Sequence, residues 1–193
     1  MIFLDSSRNK LDDICSLGEY HPYKLSDGTI NPDFRKSNNR SGQILNIKGN
    51  QPAAITFFFN ELNPLISKGI AIAVVPSHDF EKTDSGLHQL ARRLASNGRI
   101  DATSCLSRHK TIDKLASGGK RSINVHLDSI KVENLEVIRN REVLLLDDVT
   151  TSGNSLSACK QLLQQAGVQS IQCVALAQTI RNVPNQIVEP TFL

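Results

Sequence analysis

Three short, nearly continuous apolar runs, Ile70–Val75, Val143–Leu146 and Ile171–Ala177, constrain this chain more than any other feature. Runs of that length read as strands buried on both faces. The stretches beside them have helical spacing. Ala53, Phe57, Phe58, Leu62 and Leu65 precede the first run, with Asn50 as the expected cap and Pro52 in the first turn. Leu87, Leu90, Ala91, Leu94 and Ala95 follow it, from a start at Asp84 or Ser85 to a stop at Asn97-Gly98. Leu156, Cys159, Leu162, Leu163 and Ala166 fill the interval before the third run, in a helix expected over Asn154–Ala166 and closed by Gly167. Alternating strand and helix imply an α/β fold, an open parallel sheet with flanking helices.

Residues 51–193 are assigned to this domain. Residues 1–50 are rich in turn formers (Ser26-Asp27-Gly28, Asn31-Pro32, Ser37-Asn38-Asn39), with an extended stretch at Tyr20–Leu25, and are expected to form a small irregular appendage or hood. Arg99–Leu106 is expected to be a further strand, and the polar, basic Ser107–Leu127 a loop or mobile hairpin. The tail from Arg181 has no readable period.

Composition narrows the function. With 193 residues, 39% hydrophobic and 21% charged, and a net charge of +3, the chain is an ordinary globular protein without the basic block that general nucleic-acid binding needs. Cys15, Cys105, Cys159 and Cys173 are scattered with no CxxC pair, so neither a zinc ribbon nor a disulfide framework is expected. No apolar run is long enough to span a bilayer, and MIFLDSSRNK lacks the features of a signal peptide, so a cytoplasmic location is expected.

The chemistry is concentrated in VLLLDDVTTSGNS, Val143–Ser155. Two carboxylates, Asp147 and Asp148, end a buried strand; a hydroxyl- and glycine-rich turn follows, then a helix start. In open α/β sheets ligands bind beyond the carboxyl ends of the strands, where helix N-termini offer unpaired N–H groups and partial positive charge. Gly153 permits close approach of the backbone to an anion, and Thr151, Ser152 and Ser155 supply hydroxyl donors. Unpaired carboxylates beside a core strand are costly, so Asp147 and Asp148 call for donors, which ribose hydroxyls would supply. Neither a Walker loop nor a GxGxxG loop is present. The bland reading is an acidic βα turn with a capped helix.

These thirteen residues closely resemble the phosphoribosyl-pyrophosphate motif of type I phosphoribosyltransferases. The resemblance implies that Thr150, Thr151, Ser152, Gly153, Asn154 and Ser155 hold the 5-phosphate of 5-phosphoribosyl-1-pyrophosphate (PRPP), and that Asp147 and Asp148 engage the ribose hydroxyls. It implies a transferase that moves the phosphoribosyl group to a nitrogen acceptor and releases pyrophosphate. Magnesium would be carried with PRPP rather than by a protein cage, because this hard ion takes oxygens from substrate phosphates and water. A homodimer is a further possibility that the resemblance raises.

More loosely, the chain from about residue 44 to 178 looks like the competence protein F-like branch. Lys48 before an apolar helix fits, as does the spaced pattern Arg108, Lys110, Thr111, Leu115, Arg121, Asn124 and Val125. It departs from that branch in lacking the zinc ribbon, in having Lys114 where glutamine is usual, and in a partial match over Ser85–Ala91. Arg108, Lys110, Lys120 and Arg121 fall where a lid over the leaving pyrophosphate is expected, with Arg108 as its catalytic cation. Ser77 and His78, after the strand ending at Val75-Pro76, fall where the pyrophosphate loop is expected; His78 is assigned no proton transfer. In 6-oxopurine enzymes of the family the position of Thr151 is usually acidic, which argues against that acceptor.

Two rival readings differ in class. A phosphohydrolase would use Asp147 and Asp148 as joint metal ligands, but adjacent strand residues point to opposite faces. A non-catalytic PRPP-binding regulator, or a DNA-uptake accessory, would keep the phosphate turn without needing the cations of the lid.

Overall fold

The computed structural model describes residues 10–11, 14–25, 27–35, 39–112 and 122–180. Among them seven strands form one sheet and two more a small hairpin. The elements run β1 (Lys10–Leu11), β2 (Ile14–Ser16), β3 (Glu19–Tyr20), a 3-10 turn at Pro32–Arg35, α1 (Arg40–Lys48), α2 (Pro52–Leu62), β4 (Ala71–Val74) and α3 (Gly86–Ala95). Then follow β5 (Ile100–Asp101), β6 (Leu106–Arg108), α4 (Ile123–Leu127), β7 (Ile130–Val132), β8 (Glu142–Thr150), α5 (Asn154–Gln165) and β9 (Ser170–Thr179).

The main sheet has the order β1-β2-β9-β8-β4-β5, with β3 also pairing with β9, and every pairing is parallel except β1 with β2. Residue parity divides the core. Ile72, Val74, Leu144, Leu146, Val174 and Leu176 face α1, α2 and α3, whereas Ala71, Ala73, Val143, Leu145, Cys173 and Ala175 face α5 and the β6–β7 hairpin. Apolar burial on both sides is what an unalternating strand demands. The expected α/β architecture is the observed one.

Four details differ from the sequence reading. Residues 1–50 are not wholly apart from the domain: β2 pairs with β9 through Ile14↔Cys173 to Ser16↔Ala175, and Ile44 and Ile47 of α1 are buried in the main core. Arg40 ties α1 down, with its guanidinium donating to both carboxylate oxygens of Glu61 and to the carbonyl of Leu176. The cap of α2 is Gln51, while Asn50 takes a left-handed turn at φ 59°.

Arg99–Leu106 is not one strand. The Asp101 carboxylate accepts from the Thr103 amide at 2.9 Å and from its hydroxyl at 2.7 Å, a local turn that ends β5 and sends the chain into the separate β6–β7 pair. The fourth difference is β8, which continues through Asp147 and Asp148 to Thr150, because β9 is long enough to keep pairing with it as far as Thr150↔Gln178. Among the described residues no helix is long and apolar enough to cross a membrane.

Candidate active site

The loops after β4 and β8 leave neighbouring strands at the same edge of the sheet. Past Thr150 the chain bends through Thr151 and Ser152, and Gly153 caps α5 in the left-handed conformation at φ 80°, ψ −6°, where a side chain would be strained. Helix α5 therefore opens at the turn, with the N–H groups of its first turn directed there as at any helix N-terminus. Ser152 is exposed, Asn154 and Ser155 are half-buried, and the Thr151 hydroxyl lies 2.8 Å from that of Thr179. Thr150 departs from the expected pattern: its hydroxyl is closed off from solvent without a hydrogen-bond partner. The hollow lined by Asp147 and residues 149–156 holds only about 20 Å³.

The two acids leave β8 on opposite sides, in the parity set by Leu145 and Leu146. Asp148, with a side chain 30% exposed, pairs with the Lys48 ammonium at 3.3 Å. Asp147 accepts the Asp148 amide at 2.8 Å; desolvation, reinforced by the neighbouring Asp148 charge, pushes its carboxyl up to about 8. Burial pulls the Lys48 ammonium down, but the charge and hydrogen bond of Asp148, with Tyr20 and Asp147 adding, outweigh it and leave the group raised. Burial also raises the Tyr20 phenol, with Lys48 opposing and Asp148 adding to the rise. Tyr20 and Lys48, from the N-terminal segment, thus flank the acid pair.

Lys48 is placed by a close approach. A Cβ on Gly86 would stand 2.1 Å from the carbonyl oxygen of Ile47, so only glycine lets α3 start against the end of α1. The sequence marked Lys48 by resemblance but gave no role to it, and none to Tyr20.

On the other flank, Arg108 is not a lid cation. It is 7% exposed at the foot of the hairpin, where Nε donates to the Ser77 carbonyl at 2.6 Å, Nη1 reaches the Ser129 hydroxyl and Nη2 lies 3.4 Å from His126 Nδ1. His126, which sequence reasoning missed, is 1% exposed and has Nε2 3.4 Å from the Ser155 hydroxyl. Ser77 and His78 are half-buried; the Ser77 hydroxyl accepts the Asp79 amide at 3.3 Å, and the His78 carbonyl accepts the Ile112 amide at 3.0 Å. Lys110 is exposed beyond β6. Lys114, Leu115, Lys120 and Arg121 lie outside the described residues.

A larger cavity of about 380 Å³ lies beside the Ser77 loop, lined there by Ser77, Asp79, Phe80 and Arg108, and across from them by His88 and Glu133. None of the residues of the phosphate turn lines it. The smaller hollow instead brings together the Asp147 carboxylate, the hydroxyls of the turn and the N-terminus of α5. Among the described residues no three His, Cys, Asp or Glu side chains gather as a metal cage. The divergence of the two acids suits two hydroxyl contacts better than joint ligation of one ion.

The phosphoribosyl transferase domain family matches residues 87–187, slightly more than half of the chain. Similar solved structures include the phosphoribosylpyrophosphate synthetase of Mycobacterium smegmatis, at 14% identity and a TM-score of 0.37 over 66% of this chain and 32% of that one. The chain thus spans about a third of the synthetase's length. A purine phosphoribosyltransferase of Pyrococcus horikoshii Ot3 is 18% identical, with a TM-score of 0.36 over 67% of this chain and 73% of that one. A hypoxanthine phosphoribosyltransferase of Staphylococcus aureus is 18% identical, with a TM-score of 0.35 over 73% of this chain and 74% of that one. No curated protein matches the chain.

Proposed function

The chain belongs to the phosphoribosyl transferase domain family, and from that premise we propose that it binds PRPP and transfers the phosphoribosyl group to a nitrogen acceptor, as a member of the competence protein F-like branch. The observation that carries the reading is the phosphate turn: a left-handed Gly153 opening α5, flanked by an exposed Ser152 and a half-buried Ser155, directly beyond two carboxylates. The 5-phosphate sits on the first N–H groups of α5 and takes donors from Ser152, Asn154 and Ser155. The ribose lies across the rim of β8 and meets one acid from each side. Asp148, paired with Lys48, accepts one hydroxyl; Asp147, whose carboxyl burial pushes upward, meets the other.

Pyrophosphate lies toward the Ser77–His78 loop, with Lys110 as a nearby solvated cation. Arg108 acts on it through the Ser77 carbonyl. As the bond from C1 to the pyrophosphate oxygen breaks, the electron pair leaves with pyrophosphate, the ring becomes oxocarbenium-like, and the acceptor nitrogen bonds to C1 and then releases its proton to solvent. Magnesium carried in with PRPP would supply charge neutralisation for the leaving pyrophosphate. In-line displacement brings the acceptor from the side opposite pyrophosphate, which is the flank of Tyr20, Lys48 and Thr179. The test is pyrophosphate release from PRPP and magnesium with a panel of nitrogen bases and amines. Release with one acceptor is the expected result; PRPP binding without release for any acceptor supports the non-catalytic regulator instead.

A further inference from the structure

Arg108 and His126 form a buried polar link between the two loops that the proposed reaction uses. The guanidinium holds the Ser77 carbonyl at 2.6 Å and faces His126 Nδ1 at 3.4 Å, and the other ring nitrogen faces the Ser155 hydroxyl at 3.4 Å. An arginine has donors only, so the nitrogen facing it must present a lone pair. The ring is then neutral with its proton on Nε2. A doubly protonated ring would set an N–H and a positive charge against the guanidinium.

With the proton on Nε2, the ring donates to the Ser155 oxygen, and the hydroxyl hydrogen of Ser155 is left to point elsewhere. Ser155 stands in the first turn of α5, beside the phosphate cradle. We propose that His126 is a positioning residue that fixes Ser155 as a hydroxyl donor to the 5-phosphate and, through Arg108, couples the phosphate turn to the Ser77 loop. The inference rests on the PRPP reading of the turn. It gives a physical use to two basic side chains, at 7% and 1% exposure, which exposed loop cations would not have. Its consequence is mutual: occupancy of either loop steadies the other, so each ligand strengthens binding of its counterpart by the same factor.

Nitrogen NMR of the histidine rings tests the tautomer in the natural protein. A neutral ring protonated at Nε2 is expected for His126; a proton on Nδ1, alone or with Nε2, overturns the inference. Calorimetry with ribose 5-phosphate and with pyrophosphate, separately and together, tests the coupling. His126→Phe keeps a ring but neither nitrogen, and is expected to weaken ribose 5-phosphate roughly tenfold or more and to remove the mutual strengthening. His126→Gln carries an amide donor near the Nε2 position; it is expected to recover most of the ribose 5-phosphate affinity but not the coupling. Equal affinities and coupling in all three proteins overturn the inference, and should the phenylalanine variant not fold, the ring signals and the glutamine variant still decide. No binding of ribose 5-phosphate by the natural protein overturns the PRPP reading itself, whereas normal binding with an Nδ1–H ring overturns this inference alone.

Discussion

The two flanks of the acid pair are built in opposite ways. Toward Ser77 the polar groups are buried: Arg108 and His126 are withdrawn from water and held by a carbonyl, hydroxyls and each other. Toward Tyr20 the decisive contact is an ion pair between a Lys48 side chain 44% exposed and an Asp148 side chain 30% exposed. Desolvated hydrogen bonds to a charged group are strong and costly to break, whereas solvated ion pairs contribute little to folding. The Ser77 flank is therefore preorganised, and the Tyr20 flank is adjustable.

If this contrast is right, Arg108→Ala has the largest effect on the fold. It removes a charged donor and leaves the Ser77 carbonyl and the His126 ring short of a partner, at a cost of about 3 kcal/mol, or a fall in Tm of about 10 °C. A scanning calorimetry shift of a degree or two would place Arg108 among ordinary surface cations.

Asp147→Asn comes next and has the opposite sign. The folded protein keeps a proton on Asp147 that an unfolded carboxyl releases near its ordinary value of about 4. The group's contribution is thus full below that pH and is lost as pH rises toward the folded value of about 8. Asparagine never ionises, so the variant should gain on the natural protein as pH rises from 5 to 8, by about 10 °C in Tm relative to its difference at pH 5. A constant difference across that range would contradict the upward shift.

Lys48→Met has the smallest effect on stability, under about 1 kcal/mol. It should still move the Asp147 titration further up, since Lys48 is the charge that opposes the rise. Carbon NMR of the carboxyl group reads this directly. A large loss of stability together with an unmoved titration would reverse the contrast between the flanks.

Much of the site was legible in the sequence because it is local. An apolar run, two acids, a hydroxyl-rich turn and Gly153 lie within thirteen residues, and the helix expected over Asn154–Ala166 is observed over Asn154–Gln165. Helix α3, too, begins at its expected cap, where the Ser85 hydroxyl accepts the His88 amide.

What the sequence hid is long-range or depends on a partner. Nothing near Lys48 announces Asp148, a hundred residues away. The continuation of β8 to Thr150 depends on the length of β9. Arg108 in a polar segment reads as exposed, because lysines and arginines usually are; its burial depends on Ser77, Ser129 and His126 converging on it. The break between β5 and β6 was legible in principle, since Asp101-Ala102-Thr103 has the composition of a side-chain-closed turn, but the apolar residues around it gave the stronger signal.

The most direct test of the PRPP site is a calorimetric titration of the natural protein and of the double variant Asp148→Asn, Ser152→Ala with PRPP and magnesium. The account predicts binding by the natural protein and at least a roughly hundredfold loss in the variant, from one ribose and one phosphate contact removed together. Equal affinity in the two proteins, or no heat of binding in the natural one, would contradict it.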